Sequence, residues 1–339
     1  MALLEVRHLR TRFQTPKGVI PAVNDVSFTL EPGQTLGLVG ESGSGKSVSA
    51  MSILNLLGPN GLIAGGEILF DGQDLTKFSP QQLRQIRGNQ ISVIFQEPMT
   101  SLNPVFSIQR QLSEPFLVHQ GMNKKEAAAG ALEMLRAVQL PDPQRVLKKY
   151  PHQLSGGMRQ RVMIAMALAC QPRILIADEP TTALDVTIQA QILDLMQKLQ
   201  AEKGTGILFI THDLGIIRQM ADRVAVMYCG QVVEQCDTRS LFAPGPVSHP
   251  YTEGLLQSIP RTGSAGEPLK PIPGAVPHPL EQPKGCKFTP RCPYATARCV
   301  EKEPALLEVA PGHWARCHYA QKEVRRSEEH RKALLHPEA

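Results

Sequence analysis

Long apolar segments are absent from this sequence. The longest uninterrupted apolar run is Val162–Cys170, nine residues, whereas a helix that spans a bilayer needs about 20 apolar residues. The N-terminus, Met1–Arg7, carries no basic stretch ahead of an apolar one, so we expect no secretory signal. These two absences predict a chain that does not cross a membrane by itself.

A large charge excess of either sign is also absent. The 36 Lys+Arg residues stand against 31 Asp+Glu, which gives a formal net charge of +5. Interspersed charges with so small an excess give weak support for nucleic-acid binding, and a protein docked on an anionic membrane surface shows the same balance. The composition, 42 % hydrophobic and 20 % charged residues over 339 positions, excludes a wholly disordered or fibrous protein.

Short apolar runs separated by turn residues indicate where strands lie. They predict strands at Leu3–Val6, Val26–Leu30 and Thr35–Val39, and one strand over Gly65–Gly72, between two turns. After Ile174, strand patterns alternate with helical patterns. Alternation of this kind builds a parallel sheet covered by helices.

Two stretches depart from this pattern. From about residue 97 to residue 161 the chain is rich in Ala, Leu, Lys and Glu with apolar residues at helical spacing, which predicts a mostly helical insert. Residues 244–293 contain 12 of the chain's 28 prolines, which favours extended, irregular chain over long helices. We therefore expect a C-terminal extension over residues 243–321 and a charged tail over residues 322–339.

A phosphate-binding loop is indicated by Gly40–Ser47, which fits the pattern G-x-x-x-x-G-K-[S/T] between an apolar strand and a helix-like segment. Its glycines allow the backbone to turn so that N–H groups converge on phosphate oxygens. Lys46 supplies a positive charge for the β- and γ-phosphates, and the Ser47 hydroxyl is a ligand for Mg²⁺. The alternative is a glycine-rich turn with a solvated lysine, which the flanking segments disfavour.

Two acidic residues, Asp178 and Glu179, end the apolar run Ile174–Ala177. A buried strand that ends in acids is the expected partner of a phosphate-binding loop. Asp178 is then the residue that holds the Mg²⁺ shell, and Glu179 lies next to the γ-phosphate, where it polarises the attacking water. Acids at the end of a strand are common, so this prediction depends on the phosphate-binding loop.

A second glycine-containing loop, Leu154–Met158, precedes a segment with helical spacing. Ser155 is placed as the N-cap of that helix, and Gly156 and Gly157 leave space at its start. A helix N-terminus is an anion site, although an ordinary capped helix explains the same residues. Because the first loop already covers one face of a nucleotide, we predict that this loop faces a nucleotide held by a second subunit.

Together these segments resemble the ATPase subunits of ATP-binding cassette (ABC) transporters. Gly40–Ser47 is similar to the family's Walker A motif, Ile174–Glu179 to its Walker B motif, and Leu154–Met158 to its signature loop. The other family motifs are matched by a stacking aromatic at Phe13, the Q-loop glutamine at Gln96, the D-loop at Ala183–Asp185 and the switch histidine at His212. The resemblance covers about residues 3–240, and no core motif departs from it.

The resemblance implies a fold and a set of residue roles. The fold is an α/β P-loop ATPase (RecA-like) core with an antiparallel β subdomain, which hydrolyses ATP with Mg²⁺ as a nucleotide-sandwich dimer. The implied catalytic residues are Glu179, His212 and Gln96, and the implied Mg²⁺ ligands are Ser47, Gln96 and Asp178. The implied nucleotide contacts are Phe13, Gly40, Ser42, Gly43, Gly45, Lys46, Ser47, Gln96 and Asp178, with Ser155, Gly156 and Gly157 of the other subunit.

Further segments narrow the resemblance to the ATPases of peptide (dipeptide, oligopeptide) and nickel importers, and among them to the D-type peptide transporter subunit. Phe95–Pro104, Tyr150–Leu154, Asp185–Gln191, His249–Thr252 and the cysteine-bearing tail are typical of that subfamily. The resemblance implies an ATPase domain over residues 1–242, located peripherally at the cytoplasmic face of the cell inner membrane. Its implied partners are a second ATPase subunit, identical or paralogous, two transmembrane permeases and, indirectly, an extracytoplasmic solute-binding protein.

Four of the seven cysteines lie in the extension, with the spacing Cys286-x5-Cys292-x6-Cys299-x17-Cys317. In a reducing compartment, clustered thiols indicate a metal site rather than disulfides. Structural zinc usually shows C-x₂₋₄-C pairs, which are absent here, whereas longer gaps suit a four-cysteine iron–sulfur cluster. We therefore predict a [4Fe–4S] cluster, to which the subfamily resemblance also points, with zinc as the runner-up and free thiols as the third alternative. Histidines on both sides of Cys317 keep a mixed Cys/His site open.

Two rival functions make predictions that differ from those of a transporter ATPase. A soluble ABC-type ATPase acting on nucleic acid predicts a coiled-coil or DNA-binding insert and a more basic face, and this sequence has neither. A nucleotide-gated scaffold whose tail senses redox state predicts a degraded Glu179 or His212, and both residues are present. We therefore expect an ATP hydrolase that drives a membrane importer and does not act on nucleic acid.

Overall fold

A computed structural model describes residues 2–97, 101–181, 184–243, 245, 248–259 and 271–321. The chain folds into two compact units. The first comprises the described residues of Met1–Leu4, Leu30–Thr35 and Phe70–Ile210, and the second those of Glu5–Thr29, Leu36–Leu69 and Thr211–Ala339. Within the described residues, no helix combines the length and the apolar character that are needed to cross a bilayer.

Strands and helices alternate along much of the chain. The strands, in chain order, are β1 (Leu4–Thr15), β2 (Gly18–Leu30), β3 (Thr35–Val39), β4 (Gly61–Phe70), β5 (Gln73–Asp74), β6 (Ile91–Ile94), β7 (Ile174–Asp178), β8 (Gly206–Thr211), β9 (Arg223–Tyr228), β10 (Gln231–Asp237), β11 (Leu307–Ala310) and β12 (His313–Ala315). The α-helices are α1 (Lys46–Ile53), α2 (Pro80–Ile86), α3 (Ile108–His119), α4 (Lys124–Ala137), α5 (Pro143–Leu147), α6 (Gly156–Leu168), α7 (Val186–Lys203), α8 (Leu214–Met220), α9 (Thr238–Phe242), α10 (Pro250–Gln257) and α11 (Ala297–Glu301). The order from β7 to β9 confirms the predicted alternation.

Strands β6, β7 and β8 of the first unit run parallel to one another. Ile91 pairs with Ile174, and Ile174 pairs with Gly206. All five residues of β7 are buried, which is typical of a parallel strand with both faces covered. The carboxyl ends of β6 and β7 therefore lie side by side, and each is followed by a predicted site residue, Gln96 after β6 and Glu179 after β7.

Helices α3, α4 and α5 of the first unit lie in the stretch for which the sequence predicts a mostly helical insert. Helix α4 begins with a reciprocal cap. The Asn123 side chain accepts the Glu126 N–H at 3.1 Å, and the Glu126 carboxylate accepts the Asn123 N–H at 2.9 Å. A Cβ at Gly130 would lie only 3.0 Å from the Phe116 ring, so the glycine permits close packing of α3 on α4.

The second unit contains two sheets. Strands β2, β1 and β4 are neighbours in one of them. In the other sheet, β3 is parallel to β9, and β9 is antiparallel to β10. Beyond β10 the sheet continues with β12 and β11, each antiparallel to its neighbour. The C-terminal extension therefore adds two strands to the sheet that carries the phosphate-binding loop.

A buried carboxylate on β10 joins the C-terminal extension to this sheet. Glu234 is 1 % exposed. One of its oxygens lies 2.7 Å from His313 Nε2, and the other accepts the His249 N–H at 2.8 Å. Three aromatic rings of the same unit have centroids 4.6–5.5 Å apart: Tyr228, Tyr251 and Phe288. The extension is thus part of the packed interior of its unit and is not loosely attached to it.

Three local features of the structure have no signal in the sequence patterns. Strand β4 begins at Gly61 and continues through Gly66, where the sequence predicts a turn. The glycine at position 66 instead allows close contact with β1, since a Cβ there would lie 2.6 Å from the Arg7 carbonyl oxygen. Helix α10 lies within the proline-rich stretch, since Pro250 occupies its first turn and His249 caps it. Strands β11 and β12 are short and take their form from pairing with neighbours, which no local pattern indicated.

Candidate nucleotide-binding site and cysteine pocket

The phosphate-binding loop joins β3 to α1 in the second unit. Its glycines have positive φ angles of +153° at Gly40, +78° at Gly43 and +100° at Gly45. A Cβ at Gly40 would collide with the Met227 carbonyl oxygen, and a Cβ at Gly45 would lie 2.6 Å from the Ala22 carbonyl oxygen. Both the backbone conformation and the packing therefore require glycine at the two ends of this loop.

Lys46 is the first residue of α1 and is only 5 % exposed. Its Nζ donates to the carbonyl oxygens of Gly40 at 2.8 Å and Glu41 at 2.9 Å. The ammonium group therefore lies against the loop itself, next to a helix N-terminus that carries partial positive charge. Ser47 follows in the first turn of the same helix. This concentration of positive charge suits a polyphosphate.

Two other predicted site residues belong to the second unit. Phe13 is half-buried on β1. Its ring packs against Gly61, where a Cβ would lie only 2.9 Å from Phe13 Cε1. His212 is exposed directly after β8. The next residue, Asp213, caps α8 by accepting the N–H of Gly215 at 2.7 Å, which fixes the backbone that carries His212.

The acidic residues of the predicted site lie in the first unit, at the end of β7. Asp178 is 4 % exposed. Glu179 has a left-handed backbone, with φ +46°, and its N–H donates to the Ile210 carbonyl oxygen at 2.9 Å. The Gln96 Nε2 donates to Glu179 Oε2 at 3.0 Å, so the structure brings together two of the predicted catalytic residues. A non-glycine residue with positive φ is strained, and such residues are concentrated at functional sites.

The predicted signature loop also belongs to the first unit. Ser155 is the N-cap of α6, and its Oγ accepts the Met158 N–H at 3.3 Å. Ser155 and Gly156 are exposed. A Cβ at Gly156 would meet no atom within 4 Å, and one at Gly157 would meet only Leu184 Cδ2, at 3.6 Å. Packing within the described part of the chain therefore does not require glycine at these positions. Of the adjacent predicted D-loop, Ala183 lies outside the described residues.

All four cysteines of the extension line one pocket in the second unit. Three of them accept a hydrogen bond from the backbone N–H two residues further along: Cys286 from Phe288, Cys292 from Tyr294, and Cys317 from Tyr319 at 3.4 Å. Hydrogen bonds from N–H groups to sulfur favour the thiolate form, which is the form that binds metals.

Burial has the opposite effect on the pKa values of these thiols, because it disfavours the charged thiolate form. It is the main reason why the pKa of Cys292 is raised to about 12, and it also raises the pKa of Cys286. The neighbouring thiols Cys317, Cys286 and Cys299 raise the pKa of Cys292 further, because several thiolates in one pocket repel each other. A cationic centre among them would remove that repulsion, so the donor set fits a metal or cluster bound by thiolates.

The spacing of the thiols bears on which group fits. Within the described part of the chain, one group of three potential metal ligands has its ligand atoms within 4.8 Å of one another. It consists of Glu234, Cys236 and His313. No three of the four pocket cysteines meet this spacing in the described structure. A tetrahedral zinc ion with Zn–S bonds of about 2.3 Å holds its sulfurs roughly 3.8 Å apart. The four thiols are therefore not grouped in the described structure as the ligands of a bound zinc ion would be.

A charged contact at the phosphate-binding loop had no signal in the sequence. Glu41 lies in the loop, and both of its carboxylate oxygens bind Arg291, at 2.6 and 3.0 Å. The Glu41 N–H donates to the Tyr251 hydroxyl at 2.8 Å. Glu41 occupies a variable position of the loop pattern, and its partners lie more than 200 residues away along the chain. Such a pairing is found only when the fold is known.

Comparisons with known proteins agree with this architecture. Residues 23–182 match the family described as ABC transporter, and residues 233–299 match the one described as the C-terminal region of oligopeptide/dipeptide transporters. The oligopeptide transport ATP-binding protein AppD of Bacillus subtilis is 52 % identical over 316 residues, which cover 93 % of this chain and 96 % of AppD. The oligopeptide transport ATP-binding protein OppD of Salmonella typhimurium is 50 % identical over 315 residues, which cover 93 % of each chain.

A solved structure extends the comparison to the fold. A dimeric ATP-binding cassette in a post-hydrolysis state, bound to ADP and Pi, is 30 % identical, with a TM-score of 0.64, and the match covers 70 % of this chain and 99 % of that one. The fold and the phosphate-binding loop thus define a P-loop ATPase of the ABC class. With relatives 50–52 % identical over 93 % of its length, the chain belongs to the family of ATP-binding subunits of oligopeptide/dipeptide ABC transporters.

Several predictions from the sequence are thereby confirmed. They are the family, the α/β P-loop ATPase fold, and an ATP hydrolase coupled to peptide transport. The nucleic-acid alternative is not favoured. The matched families and the names of these relatives do not mention a metal, so the [4Fe–4S] cluster and zinc stay predictions.

Proposed function

We propose that this chain is the ATP-hydrolysing subunit that energises an ABC importer of peptides, and that the predicted site residues carry out the reaction. The observation that carries the assignment of roles is the geometry at the end of β7. There a buried aspartate is followed by Glu179, which is strained and is held by Gln96 at 3.0 Å. A carboxylate fixed in this way needs little reorganisation during the reaction.

The loop Gly40–Ser47 binds the triphosphate of ATP. The buried Lys46 exchanges its hydrogen bonds to loop carbonyls for bonds to the β- and γ-phosphates, and backbone N–H groups of Ser42, Gly43 and Gly45 surround the phosphate oxygens. Phe13 stacks on the adenine. The half-buried position of the Phe13 ring on β1 supports this contact.

Mg²⁺ is bound through oxygen ligands, as its chemistry requires. Ser47, Gln96 and Asp178 supply a hydroxyl, an amide and a carboxylate oxygen. When bound, the ion would neutralise charge on the β- and γ-phosphates. Glu179 accepts a proton from the attacking water. His212 stabilises the γ-phosphate. Catalysis in this site is mainly positioning and electrostatic stabilisation.

The signature loop acts on a nucleotide that is held by a second ATPase subunit. Ser155, Gly156 and Gly157 surround the N-terminus of α6, where N–H groups attract an anion. The absence of any atom within 4 Å of a Cβ at Gly156 supports this role. Since the fold within the described residues leaves this space open, the small residue serves a contact outside the chain.

The assembly contains two ATPase subunits, identical or paralogous, and two permease subunits at the cytoplasmic face of the inner membrane, with an extracytoplasmic solute-binding protein that delivers the peptide. Family matches over residues 23–182 and 233–299 support an ATPase domain over residues 1–242 and an extension over residues 243–321. We expect affinity purification of the tagged chain from detergent-solubilised membranes to recover two permeases and one type of ATPase partner. Recovery of nucleic acid, or of no membrane protein, would contradict this assembly.

We further propose that Cys286, Cys292, Cys299 and Cys317 bind a [4Fe–4S] cluster. The supporting observations are one pocket that all four thiols line and backbone N–H groups that donate to three of the sulfurs. When bound, the cluster supplies iron–thiolate bonds that stabilise a proline-rich segment.

Anaerobically purified protein is expected to be brown and to contain about four irons per chain. Cys292→Ser should lose the iron, because a four-thiolate cluster loses one ligand. Cys170→Ser is the matched control, since Cys170 lies on the other unit and is not among the pocket residues; it should keep the iron. Metal analysis decides between the alternatives: one zinc per chain supports the runner-up, and no metal in anaerobic protein means that the cysteines are only thiols.

A further inference from the structure

The C-terminal extension contacts the phosphate-binding loop through a mostly buried ion pair. The Arg291 side chain is 4 % exposed and the Glu41 side chain 30 %. The guanidinium donates from both terminal nitrogens, at 2.6 Å to Glu41 Oε2 and at 3.0 Å to Glu41 Oε1. This two-point arrangement is the strongest form of an arginine–carboxylate pair, and it fixes orientation as well as distance.

The backbone of Glu41 is held as firmly as its side chain. Its N–H donates to the Tyr251 hydroxyl at 2.8 Å, and its carbonyl oxygen accepts Lys46 Nζ at 2.9 Å and the Ser44 N–H at 3.2 Å. The main-chain and side-chain polar groups of this one residue are thus all engaged. Two of the partners, Tyr251 and Arg291, come from the C-terminal extension and not from the ATPase motifs.

Contacts with residues other than Glu41 also fix the position of the Arg291 side chain. Its Nε donates to the Pro273 carbonyl oxygen at 2.9 Å, and one terminal nitrogen lies 3.5 Å from the Tyr228 hydroxyl. The guanidinium carbon lies 5.8 Å from the Tyr228 ring centroid and 5.9 Å from that of Phe288. A guanidinium held among aromatic rings loses little further entropy when it binds the carboxylate.

The negative charge of Glu41 affects how well the loop can bind ATP. A carboxylate in a loop that surrounds a triphosphate repels the ligand, and solvent screens a partly buried carboxylate such as that of Glu41 less than a fully exposed one. Arg291 cancels the charge of Glu41. Removing the arginine would leave an uncompensated negative charge in the loop and would free the side chain that holds the turn.

We propose that the C-terminal extension acts on ATP binding through Glu41: Arg291 neutralises the carboxylate that would otherwise repel the triphosphate, and the Tyr251 hydroxyl positions the Glu41 backbone. This inference rests on the proposed function, because it takes Gly40–Ser47 as the triphosphate site. It also makes nucleotide affinity depend on residues outside the ATPase motifs.

Equilibrium titration of the full chain with a fluorescent ATP analogue and Mg²⁺ tests the proposal. Arg291→Ala should weaken binding by about tenfold or more, since truncating one partner of a buried charge pair is costly. Glu41→Gln should change affinity by less than about threefold, because it removes the negative charge that repels the triphosphate and leaves an amide oxygen that can still accept a hydrogen bond from Arg291. The double variant Arg291→Ala/Glu41→Gln should recover affinity to within about threefold of wild type, a rescue that a merely structural role of Arg291 would not produce.

Further variants separate the possible outcomes. Arg298 is an exposed arginine of the same extension. Arg298→Ala is therefore the matched control and should bind the ATP analogue like wild type. Tyr251→Phe, which removes only the hydroxyl, should give a smaller loss than Arg291→Ala. Lys46→Ala should abolish binding; if it binds as well as wild type, the proposed function itself fails. If Lys46→Ala abolishes binding but Arg291→Ala binds like wild type, or if adding Glu41→Gln does not rescue Arg291→Ala, the neutralising role of Arg291 is overturned.

Discussion

Replacing Glu179 with glutamine is expected to lower the rate of ATP hydrolysis by about 10²–10⁴ and to leave ATP affinity close to that of wild type, because losing a general base typically has this cost. The substitution removes the carboxylate charge and its ability to accept a proton from water. It leaves a carbonyl oxygen of the same size, to which Gln96 Nε2 can still donate as it does at 3.0 Å in the native site. Binding through Lys46 is therefore unaffected, and the variant should accumulate as an ATP-bound pair.

Steady-state phosphate release and equilibrium nucleotide binding measure the two halves of this prediction. Glu202→Gln, at an exposed position near the end of α7, makes the same chemical change away from the site and should behave like wild type. A turnover of Glu179→Gln within about threefold of wild type would show that Glu179 is not the base. A matched fall in binding and hydrolysis would instead assign Glu179 to nucleotide binding.

Local motifs were predictable because each depends on a few neighbouring residues. The phosphate-binding loop needs positive φ at Gly40, Gly43 and Gly45, and glycine is the residue that adopts it without strain. Strand β7 is a run of apolar residues that must be buried on both faces, so the acids at its end necessarily reach the sheet edge. The contact between Gln96 and Glu179 then follows from β6 and β7 being parallel neighbours.

Long-range pairings were not predictable from local pattern. Glu41 and Arg291 are 250 positions apart, and each is an ordinary surface residue when only its neighbours are considered. The two short strands of the extension have no clear alternation, and β12 becomes a strand because β10 offers a partner. The short helix over Pro250–Gln257 was not predicted for a different reason: proline content argued against long helices and gave no signal for a short helix, in whose first turn proline is favourable.

The cysteine pocket was predictable in part. Spacing alone indicated that four thiols meet, and the structure brings all four to one pocket. Which centre binds there depends on sulfur–sulfur distances and on the N–H groups that face the sulfurs, as in the bond from Tyr319 to Cys317. These are properties of the folded backbone, so the sequence left zinc and iron–sulfur open.

Gly157→Asp is expected to stop ATP turnover by an assembled pair of subunits while the isolated chain keeps nearly its full affinity for ATP. Among the described residues, a Cβ at position 157 meets only Leu184 Cδ2, at an ordinary 3.6 Å, so this part of the structure leaves room for the substitution. The new carboxylate lies at the N-terminus of α6, where the proposed role requires a γ-phosphate from the other subunit, and the two anions repel each other.

Mixing two inactive variants shows whether this loop acts in trans. In a pair formed by two copies of this chain, a Gly157→Asp subunit retains an intact phosphate-binding loop, and a Lys46→Ala subunit retains an intact signature loop. One of the two composite sites is then complete, so the mixture should regain hydrolysis that neither variant shows alone. A loop that served the nucleotide of its own subunit would leave both chains defective, and the mixture would stay inactive. Gly157→Asp would then also weaken ATP binding by the isolated chain as severely as Lys46→Ala does.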